Sequence, residues 1–381
     1  MNPDLAQATS HFCFRGTLVG IEPIRSGHIN DSYAAAFRSP GEAPHRYLLQ
    51  RINHHVFRSP ARLMQNIEGI TEHVRSKVLA AGGDPDREAL TLVRTLDGSV
   101  LHRAPNGEYW RAALFIEGAR TFDRAQSLGQ VYSAAQAVGR FQKMVSDYPA
   151  ETLHETIPDF HHTPKRFKAL VEAIQRDALK RAHKVQAEIR FVEERAAETA
   201  VLVEALEAGI LPQRVTHNDT KFSNVMIDDA TGEGICVIDL DTVMPGLSVY
   251  DFGDAVRSGA NSAAEDERDL SRVGFDLEIF AHLTAGYLDA AGEFLTGTEI
   301  DYLPFSAWLM TLECGMRFLT DYLEGDPYFR IQRPAHNLDR CRTQFKMVRD
   351  MEEKLDAMEA LVAKAARSPS ARPTPDGPAR R

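Results

Sequence analysis

Hydrophobic and polar residues alternate in short runs over the first third of the chain, a period of two that is typical of strands with one buried face. The runs with this pattern are residues 18–24, 32–37, 47–52, 91–96 and 108–116. Asn106 and Gly107 precede the last run, and they predict a hairpin turn because both residue types tolerate positive φ. Residues 62–79 have apolar side chains at helical spacing, so one helix is expected among the strands.

Helical spacing takes over after residues 116–118, where Ile-Glu-Gly breaks the strand pattern. Two short apolar strands, 224–228 and 234–240, interrupt the helical region and are joined by turn-forming residues. The helices predicted around them are residues 128–145, 187–208, 304–323 and 338–362.

These patterns divide the chain into three parts. Residues 1–116 are predicted to form an antiparallel sheet lobe, and residues 117–366 a larger, mainly helical lobe, so the fold class is α+β. Residues 367–381 are rich in Pro, Ser, Ala and Arg, and we expect them to form a disordered tail.

Composition narrows the function classes only a little. The formal net charge of −10 argues against a nucleic-acid partner, since phosphate binding normally requires a basic surface. The N-terminus does not resemble a signal peptide, and no apolar run is long enough to span a bilayer. We therefore expect a cytoplasmic protein with no membrane partner.

The four cysteines form no Cys-x-x-Cys pair, so neither a disulfide framework nor a zinc site is indicated. The sequence does not indicate an oligomeric state.

Residues 215–228 (VTHNDTKFSNVMID) contain several of the groups that phosphoryl transfer requires. Asp219 is the candidate base that accepts the proton of an acceptor hydroxyl. Lys221 is expected to neutralise phosphate charge, and Asn224 to offer an amide oxygen to Mg²⁺. His217 is expected to support the loop rather than react. The spacing matches the protein-kinase pattern His-x-Asp-x-x-x-x-Asn.

A second segment, residues 234–246, strengthens this interpretation. An apolar strand runs directly into Asp239, at the place where a kinase carries its second metal-binding carboxylate. Asp241 follows at a distance that leaves two roles open, a supporting group or a ligand of a second metal. Asp251 lies in a D-F-G triplet but comes too late for metal binding, so we expect it to bind the backbone of the catalytic loop. Together the segments predict a bilobal, protein-kinase-like fold that uses ATP.

The nucleotide lobe lacks the glycine-rich loop of protein kinases. Gly27 is the only glycine of the candidate phosphate loop. Strand alternation puts Gln50 and Arg51 on opposite faces, and we predict that Arg51 faces the nucleotide because a positive charge is needed there. Ile116 and Glu117, where the lobes connect, are the remaining predicted nucleotide contacts.

The acceptor site is expected on the helical lobe. The predicted helix at 309–323 is apolar except for a few polar positions, which include Glu313, Arg317 and Asp321. Their i,i+4 spacing allows ion pairs, and the alternative is that they point into a cleft. Arg317 and Tyr328 are the predicted substrate contacts besides Asp219, although an aromatic residue such as Tyr328 often packs in a core.

Residues 217–224 (HNDTKFSN) and 237–257 (VIDLDTVMPGLSVYDFGDAVR) resemble the aminoglycoside phosphotransferase and choline kinase superfamily. They look closest to its N-acetylhexosamine 1-kinase branch. Further similar segments are residues 27–33, 48–53, 259–267 and 317–329. The resemblance implies a bilobal kinase fold that uses ATP and Mg²⁺. It also implies an amino-sugar substrate, phosphorylated on the anomeric hydroxyl of N-acetylglucosamine or N-acetylgalactosamine.

Two other functions remain open. Within the same fold, the acceptor could be another small alcohol such as an aminoglycoside, choline, homoserine or a different sugar, because pocket shape decides the substrate. A non-catalytic module that senses nucleotide is the alternative of another class, and the presence of base, metal ligands and lysine argues against it.

Overall fold

In the computed structural model a strand overlaps each of the five runs that the alternating pattern predicts in the first third of the chain. The structure describes residues 3–24 and 29–367, so Gly27 and the predicted tail from residue 368 lie outside the described residues. The strands are β1 (Thr17–Ile24), β2 (Asp31–Arg38), β3 (His45–Ile52), β4 (Leu92–Val93), β5 (His102–Arg103), β6 (Tyr109–Leu114), β7 (Ala119–Arg120), β8 (Arg214–Thr216), β9 (Val225–Asp228), β10 (Gly234–Val237) and β11 (Met244–Gly246).

Helices make up most of the chain after β7. The helices are α1 (Pro3–Thr9), α2 (Pro60–Ala80), α3 (Pro85–Glu88), α4 (Leu128–Val145), α5 (Thr163–Arg176), α6 (Gln186–Glu193), α7 (Val201–Glu207), α8 (Ser248–Gly259), α9 (Leu277–Ala291), α10 (Gly297–Asp301), α11 (Leu303–Glu324), α12 (His336–Glu353) and α13 (Leu355–Arg367). No helix among the described residues is long and apolar enough to cross a membrane.

The N-terminal sheet is antiparallel, with strand order β1-β2-β3-β6-β4 and β5 paired with β6. One face buries Tyr47, Leu49 and Trp110 against Phe12 of the N-terminal segment. The other face looks toward the helical region, where Ile52 joins a core shared with α2 and α4. This antiparallel sheet followed by a larger helical region is the predicted α+β, protein-kinase-like fold.

A smaller sheet links the two regions. β7 pairs with β9, which in turn pairs with β10, and β8 pairs separately with β11. The turn predicted between β9 and β10 is present, with Gly232 at a φ of 74°. These short strands bring the ends of β8 and β10 together with the connection that follows β6.

The helical region is built on close helix packing. A Cβ atom at Gly286 of α9 would lie 2.1 Å from the carbonyl oxygen of Tyr132 on α4, and one at Gly139 of α4 would lie 2.6 Å from the carbonyl oxygen of Tyr287. Only glycine permits this approach, so these two positions set the spacing of α4 and α9. Helix α4 also contacts the loop that follows β8, where the Phe141 ring packs edge-on against His217.

Two predicted helices are divided in the structure. The helix predicted at 187–208 is interrupted after α6, where Arg195 donates to the carbonyl of Phe191 and binds Glu352 of α12. The helix predicted at 338–362 is interrupted at Lys354, whose φ of −111° and ψ of 9° are not helical. The second break lets Met358 and Val362 of α13 join the buried core. Arg367, predicted as the first tail residue, ends α13.

Candidate active site

The loop between β8 and β9 is held in place by helix α8. Asp251 of α8 is fully buried and accepts the backbone N–H groups of His217 at 2.9 Å and Asn218 at 2.7 Å. Its backbone carbonyl accepts the hydroxyl of Thr220. Asn218 has a φ of 67°, a left-handed conformation that is uncommon outside glycine. The prediction that Asp251 binds the loop backbone is confirmed.

His217 supports the same loop through both ring nitrogens. Its Nδ1 accepts the backbone N–H of Asp219 at 3.2 Å, so the hydrogen is on Nε2, which lies 2.9 Å from the carbonyl of Ile238. The ring thereby joins the loop to the end of β10. The predicted supporting role of His217 is confirmed by these contacts.

Asp219 lies in this loop in contact with Lys221 and Asn224. Lys221 Nζ is 2.7 Å from Asp219 Oδ2, and the Asn224 amide donates to the same oxygen at 3.0 Å. Burial alone would raise the pKa of Asp219, but the charge and hydrogen bond of Lys221 bring it below its ordinary value. Asp219 is therefore a carboxylate, as a proton acceptor must be. Its Oδ1 has no hydrogen-bond partner in the described part of the chain.

Asp239 is next to Asn224 because their strands form one hairpin. The N–H of Ile238 donates to the Asn224 carbonyl at 2.9 Å, and Asp239 follows with a left-handed φ of 63°. The amide nitrogen of Asn224 is bound to Asp219, so its amide oxygen is the atom left for a metal. An amide oxygen and a carboxylate fit Mg²⁺, which proteins hold through one or two carboxylates together with phosphate oxygens.

The electrostatics of the cluster favour a cation. Burial and the repulsion of Asp241 raise the pKa of Asp239 to about 6. Burial would lower the pKa of Lys221, but the attraction of Asp219 and Asp239 raises it above its ordinary value. Lys221 therefore stays charged, and together with Arg111 it gives two cations beside the three carboxylates of Asp219, Asp239 and Asp241. A divalent cation would relieve the remaining repulsion.

A buried ion pair joins the sheet to the segment after Asp239. Arg111 of β6 binds the Asp241 carboxylate, and both side chains are almost fully buried. Arg111 Nε also donates to Gln50 at 2.9 Å, while Asn30 donates to the second oxygen of Asp241. Both Asp241 oxygens are thus bound by protein donors. Of its two open roles, these contacts favour the supporting one.

Arg51 faces away from this cluster, and the prediction for it needs correction. In the sheet Arg51 pairs with Asp31 and Trp110, whereas Gln50 pairs with Arg111. Arg51 binds the exposed carboxylate of Asp31 on the face that buries Trp110. Strand alternation therefore puts Gln50, and not Arg51, on the cleft side. The positive charge expected there is provided by Arg111.

The connection after β6 contains Ile116 and Glu117, the predicted nucleotide contacts. The Ile116 side chain is buried, while its backbone N–H and C=O have no hydrogen-bond partner among the described residues. The Glu117 side chain instead binds Arg46, and its carbonyl accepts Arg87. The backbone of Ile116 is therefore the part of this connection open to an adenine edge. The predicted contact of Gly27 falls outside the described residues.

Arg317 of α11, a predicted substrate contact, lies among aromatic rings. Its guanidinium carbon is 5.1 Å from the ring centre of Phe160, 5.8 Å from Tyr328 and 5.5 Å from Phe329. No ion pair of Arg317 occurs within the described residues, so the helical spacing to Glu313 does not lead to pairing. The guanidinium therefore keeps its donors for another group.

Glu313 instead ties α11 to the catalytic loop. It is buried, accepts the Thr163 hydroxyl at 2.6 Å and lies 2.8 Å from His161 Nδ1. His161 Nε2 is 3.1 Å from the carbonyl of Asn218, the residue before Asp219. Burial opposes ionisation of Glu313, but the charge and hydrogen bond of His161 hold its pKa below the ordinary value.

Asp321 orders the aromatic segment that follows α11. Its carboxylate accepts the backbone N–H groups of Tyr328 at 2.8 Å and Phe329 at 2.9 Å, and the Asn337 amide at 2.8 Å. Phe329 packs on Phe318, whereas Tyr328 is 52% exposed. Core packing is therefore excluded for Tyr328, whose ring is available to a ligand.

Asp219, Lys221, Asn224 and Asp239 thus form one cluster, while sequence reasoning assigned no role to two of its supports. Arg111 and His161 come from elements that are more than 50 residues from the loop along the chain. For Arg111 a signal was present, since a charged residue in the middle of an apolar strand needs a buried partner.

A family model described as the phosphotransferase enzyme family matches residues 20–291. Among solved structures, a microcompartment-associated aminopropanol kinase is 16% identical with a TM-score of 0.57, and the alignment covers 93% of this chain and 98% of that one. A choline kinase from Cryptosporidium parvum Iowa II is 13% identical with a TM-score of 0.56, covering 92% and 93%.

A spectinomycin phosphotransferase, solved in complex with ADP and spectinomycin, is 14% identical with a TM-score of 0.51. This alignment covers 96% of both chains. At such low identity the likeness to these three structures concerns the fold. The family model covers more than half of the chain and includes both segments that contribute to the cluster.

Proposed function

The chain belongs to the phosphotransferase enzyme family, and from this premise we propose that it transfers the γ-phosphoryl group of ATP to a hydroxyl group of a small molecule. The observation that carries the proposal is the cluster of Asp219, Lys221, Asn224 and Asp239. It combines a proton acceptor, a cation and two oxygen ligands, which are the parts that phosphoryl transfer requires of a protein.

In the proposed reaction Asp219 binds the acceptor hydroxyl through Oδ1 and takes its proton as the oxygen attacks the γ-phosphoryl in line. Lys221, fixed 2.7 Å from the other carboxylate oxygen, offsets negative charge that spreads over the phosphoryl oxygens. Asn224 and Asp239 would hold Mg²⁺, which when bound neutralises phosphate charge. Most of the rate enhancement then comes from positioning and electrostatics.

On the nucleotide side, the backbone of Ile116 would bind the adenine edge. Arg111 and Asn30 hold Asp241, and through it the segment with Asp239, against the sheet. We place the division between a nucleotide-binding lobe and an acceptor lobe at residues 116 and 117, where this connection begins. Gly27 remains our candidate for a contact with the phosphates.

We infer that the acceptor is an N-acetylhexosamine, phosphorylated on its anomeric hydroxyl to give the sugar 1-phosphate. The similarity of residues 237–257 to the N-acetylhexosamine 1-kinase branch supports this choice. Arg317 has unpaired donors for sugar hydroxyls or an acetamido carbonyl, and the exposed Tyr328 ring suits stacking on a sugar. A cationic alcohol such as choline is disfavoured, because Arg317 already puts a positive charge among these aromatic rings.

A phosphorylation screen tests both the proposed kinase activity and the proposed N-acetylhexosamine acceptor. The full-length chain is incubated with ATP and Mg²⁺ and with N-acetylglucosamine, N-acetylgalactosamine, glucose, choline, homoserine or an aminoglycoside, and ADP release is measured. We expect release with the N-acetylhexosamines and a phosphate on the anomeric carbon by ³¹P NMR. Release with choline alone would overturn the sugar assignment. No release with any acceptor would favour a nucleotide-sensing module.

A further inference from the structure

A small cavity opens beside Lys221, on the side lined by helix α8. It has a volume of about 160 Å³, and its lining includes Arg257, Asn261, Glu265 and Gln344. Sites that enclose a whole drug-sized ligand are roughly 300–1,000 Å³. This cavity therefore has room for one part of a small molecule whose remainder lies elsewhere, and Lys221 connects it to the proposed base.

One residue of the lining, Gln344, has a buried polar atom without a partner. Gln344 is 1% exposed, and its Oε1 has no hydrogen-bond partner among the described residues. Native proteins rarely leave such acceptors unpaired, because their desolvation is not compensated. A ligand hydroxyl or amide N–H that enters beside Gln344 would supply the missing donor.

The cavity is lined by charges of both signs. Arg124, Lys221 and Arg257 contribute three cations, and Asp123 and Glu265 contribute two carboxylates. The lining therefore offers hydrogen-bond donors as well as acceptors, with a small excess of positive charge. This arrangement suits a neutral ligand whose groups both donate and accept, which is the chemistry of sugar hydroxyls. It suits a quaternary ammonium or a polycationic aminoglycoside poorly, because the excess of positive charge in the lining repels a cation.

We propose that this cavity is a specificity subsite of the acceptor, in which Gln344 accepts a hydrogen bond from a sugar group remote from the hydroxyl that is phosphorylated. The inference rests on the proposed function and names the part of the site that selects a neutral polyhydroxylated acceptor. Arg257 and Glu265 complete the subsite. Asp254 holds Arg257 in position, because its Oδ1 accepts Arg257 Nε at 2.7 Å.

The test compares Gln344→Leu with the wild-type chain. Leucine has a similar volume but no polar atoms, so we expect the KM for N-acetylglucosamine to rise about tenfold. The KM for ATP and kcat should stay within about twofold. The matched control is Gln136→Leu, the same change at a half-buried glutamine of α4 that binds Asp289 and does not line the cavity. Thermal melting of each variant checks folding.

Deoxy analogues of N-acetylglucosamine identify the group that is bound. One analogue should lose about tenfold in kcat/KM with the wild-type chain and lose nothing further with Gln344→Leu, because both changes remove one hydrogen bond. A purely structural role of Gln344 would not produce this coupling. Glu265→Gln, at a carboxylate that is 44% exposed, provides the same comparison should Gln344→Leu fail to fold.

The outcomes separate the inference from the function on which it rests. If the wild-type chain phosphorylates no N-acetylhexosamine, the proposed substrate is wrong, and the proposed subsite is refuted as well. If the wild-type chain is active but the Gln344 variant behaves like the Gln136 control, only the subsite is overturned. Coupling between one deoxy position and Gln344 would establish the subsite.

Discussion

At the scale of single residues, the hydrogen bonds of Asp219 separate its two carboxylate oxygens into different roles. Oδ2 is occupied by Lys221 and Asn224, so Oδ1 is the oxygen left for an acceptor hydroxyl. In Asp219→Asn the amide keeps the shape but accepts no proton, and kcat should fall by about 10²- to 10⁴-fold. ATP affinity by calorimetry should change less than threefold. Asp229→Asn, at an exposed turn, is the control, and full activity of Asp219→Asn would refute the base assignment.

Asp239 is the second residue whose role can be isolated. Asparagine keeps the left-handed backbone accessible but removes the charge that a divalent cation requires. In Asp239→Asn, Mg²⁺ should therefore no longer increase the affinity for ATP, whereas the wild-type chain should lose the same increment when EDTA removes the metal. Calorimetric titrations with and without Mg²⁺ measure both effects. An unchanged Mg²⁺ dependence would exclude Asp239 as a ligand.

Glu313 gives a pH-dependent prediction. Its pKa is lowered in the folded protein, so the folded state binds the proton more weakly than the unfolded chain does. The carboxylate therefore stabilises the fold above its ordinary pKa, and this stabilisation is lost as the pH falls below about 4.3. Glu313→Gln should lower the free energy of unfolding by about 1–3 kcal/mol at pH 7 and by less at pH 4. Urea unfolding at both pH values measures the difference, and an equal loss at both would contradict it.

At the scale of elements, the two faces of the N-terminal sheet differ in the burial of their ion pairs. Arg111 lies on the cleft face in a buried pair with Asp241, whereas Arg51 lies on the opposite face with an exposed partner. Arg111→Met leaves a buried carboxylate unpaired and should cost about 3–5 kcal/mol. Arg51→Ala should cost about 0–1 kcal/mol and leave the KM for ATP within twofold. A large rise in that KM for Arg51→Ala would restore the original assignment.

This pair also explains what the sequence could and could not predict about the site. Alternation correctly separates Gln50 from Arg51, but it does not say which face meets the cleft. That information lies in the register of the sheet, where Gln50 pairs with Arg111, 61 residues further along the chain. The loop residues from His217 to Asn224 are local, so their pattern was sufficient to bring them together.

Helix boundaries also depend partly on the local sequence and partly on contacts with distant residues. The boundaries of α4 at Leu128–Val145 match the prediction, because apolar spacing and the Ser127 cap are both local. The breaks at Arg195 and Lys354 depend on partners far along the chain, Glu352 for one and the backbone of Phe275 for the other. Periodicity continues across both breaks, so no local signal marks them.

At the scale of the whole molecule, α2 connects the sheet with the helical region through one buried amide. Asn66 is 2% exposed; its nitrogen donates to the carbonyls of His154 and Val243, and its oxygen accepts the N–H of His154. Val243 follows the segment with Asp239 and Asp241. The position of α2 is therefore coupled to the segment with Asp239 and Asp241, and any relative motion of the two regions must leave these hydrogen bonds intact.

Asn66→Leu removes three hydrogen bonds at once and leaves buried backbone groups of His154 and Val243 unpaired. We expect a loss of about 2–4 kcal/mol in the free energy of unfolding, since each unpaired buried group costs about 1–3 kcal/mol and relaxation recovers part of it. Amide hydrogen exchange should accelerate in α2 and around residue 243, with kcat reduced because Asp239 is held less firmly. Gln65→Leu, which removes only an exposed bond to the His154 ring, is the matched control. If exchange near Val243 matched that control while stability fell, Asn66 would serve packing alone, and the coupling of α2 to the segment with Asp239 would be refuted.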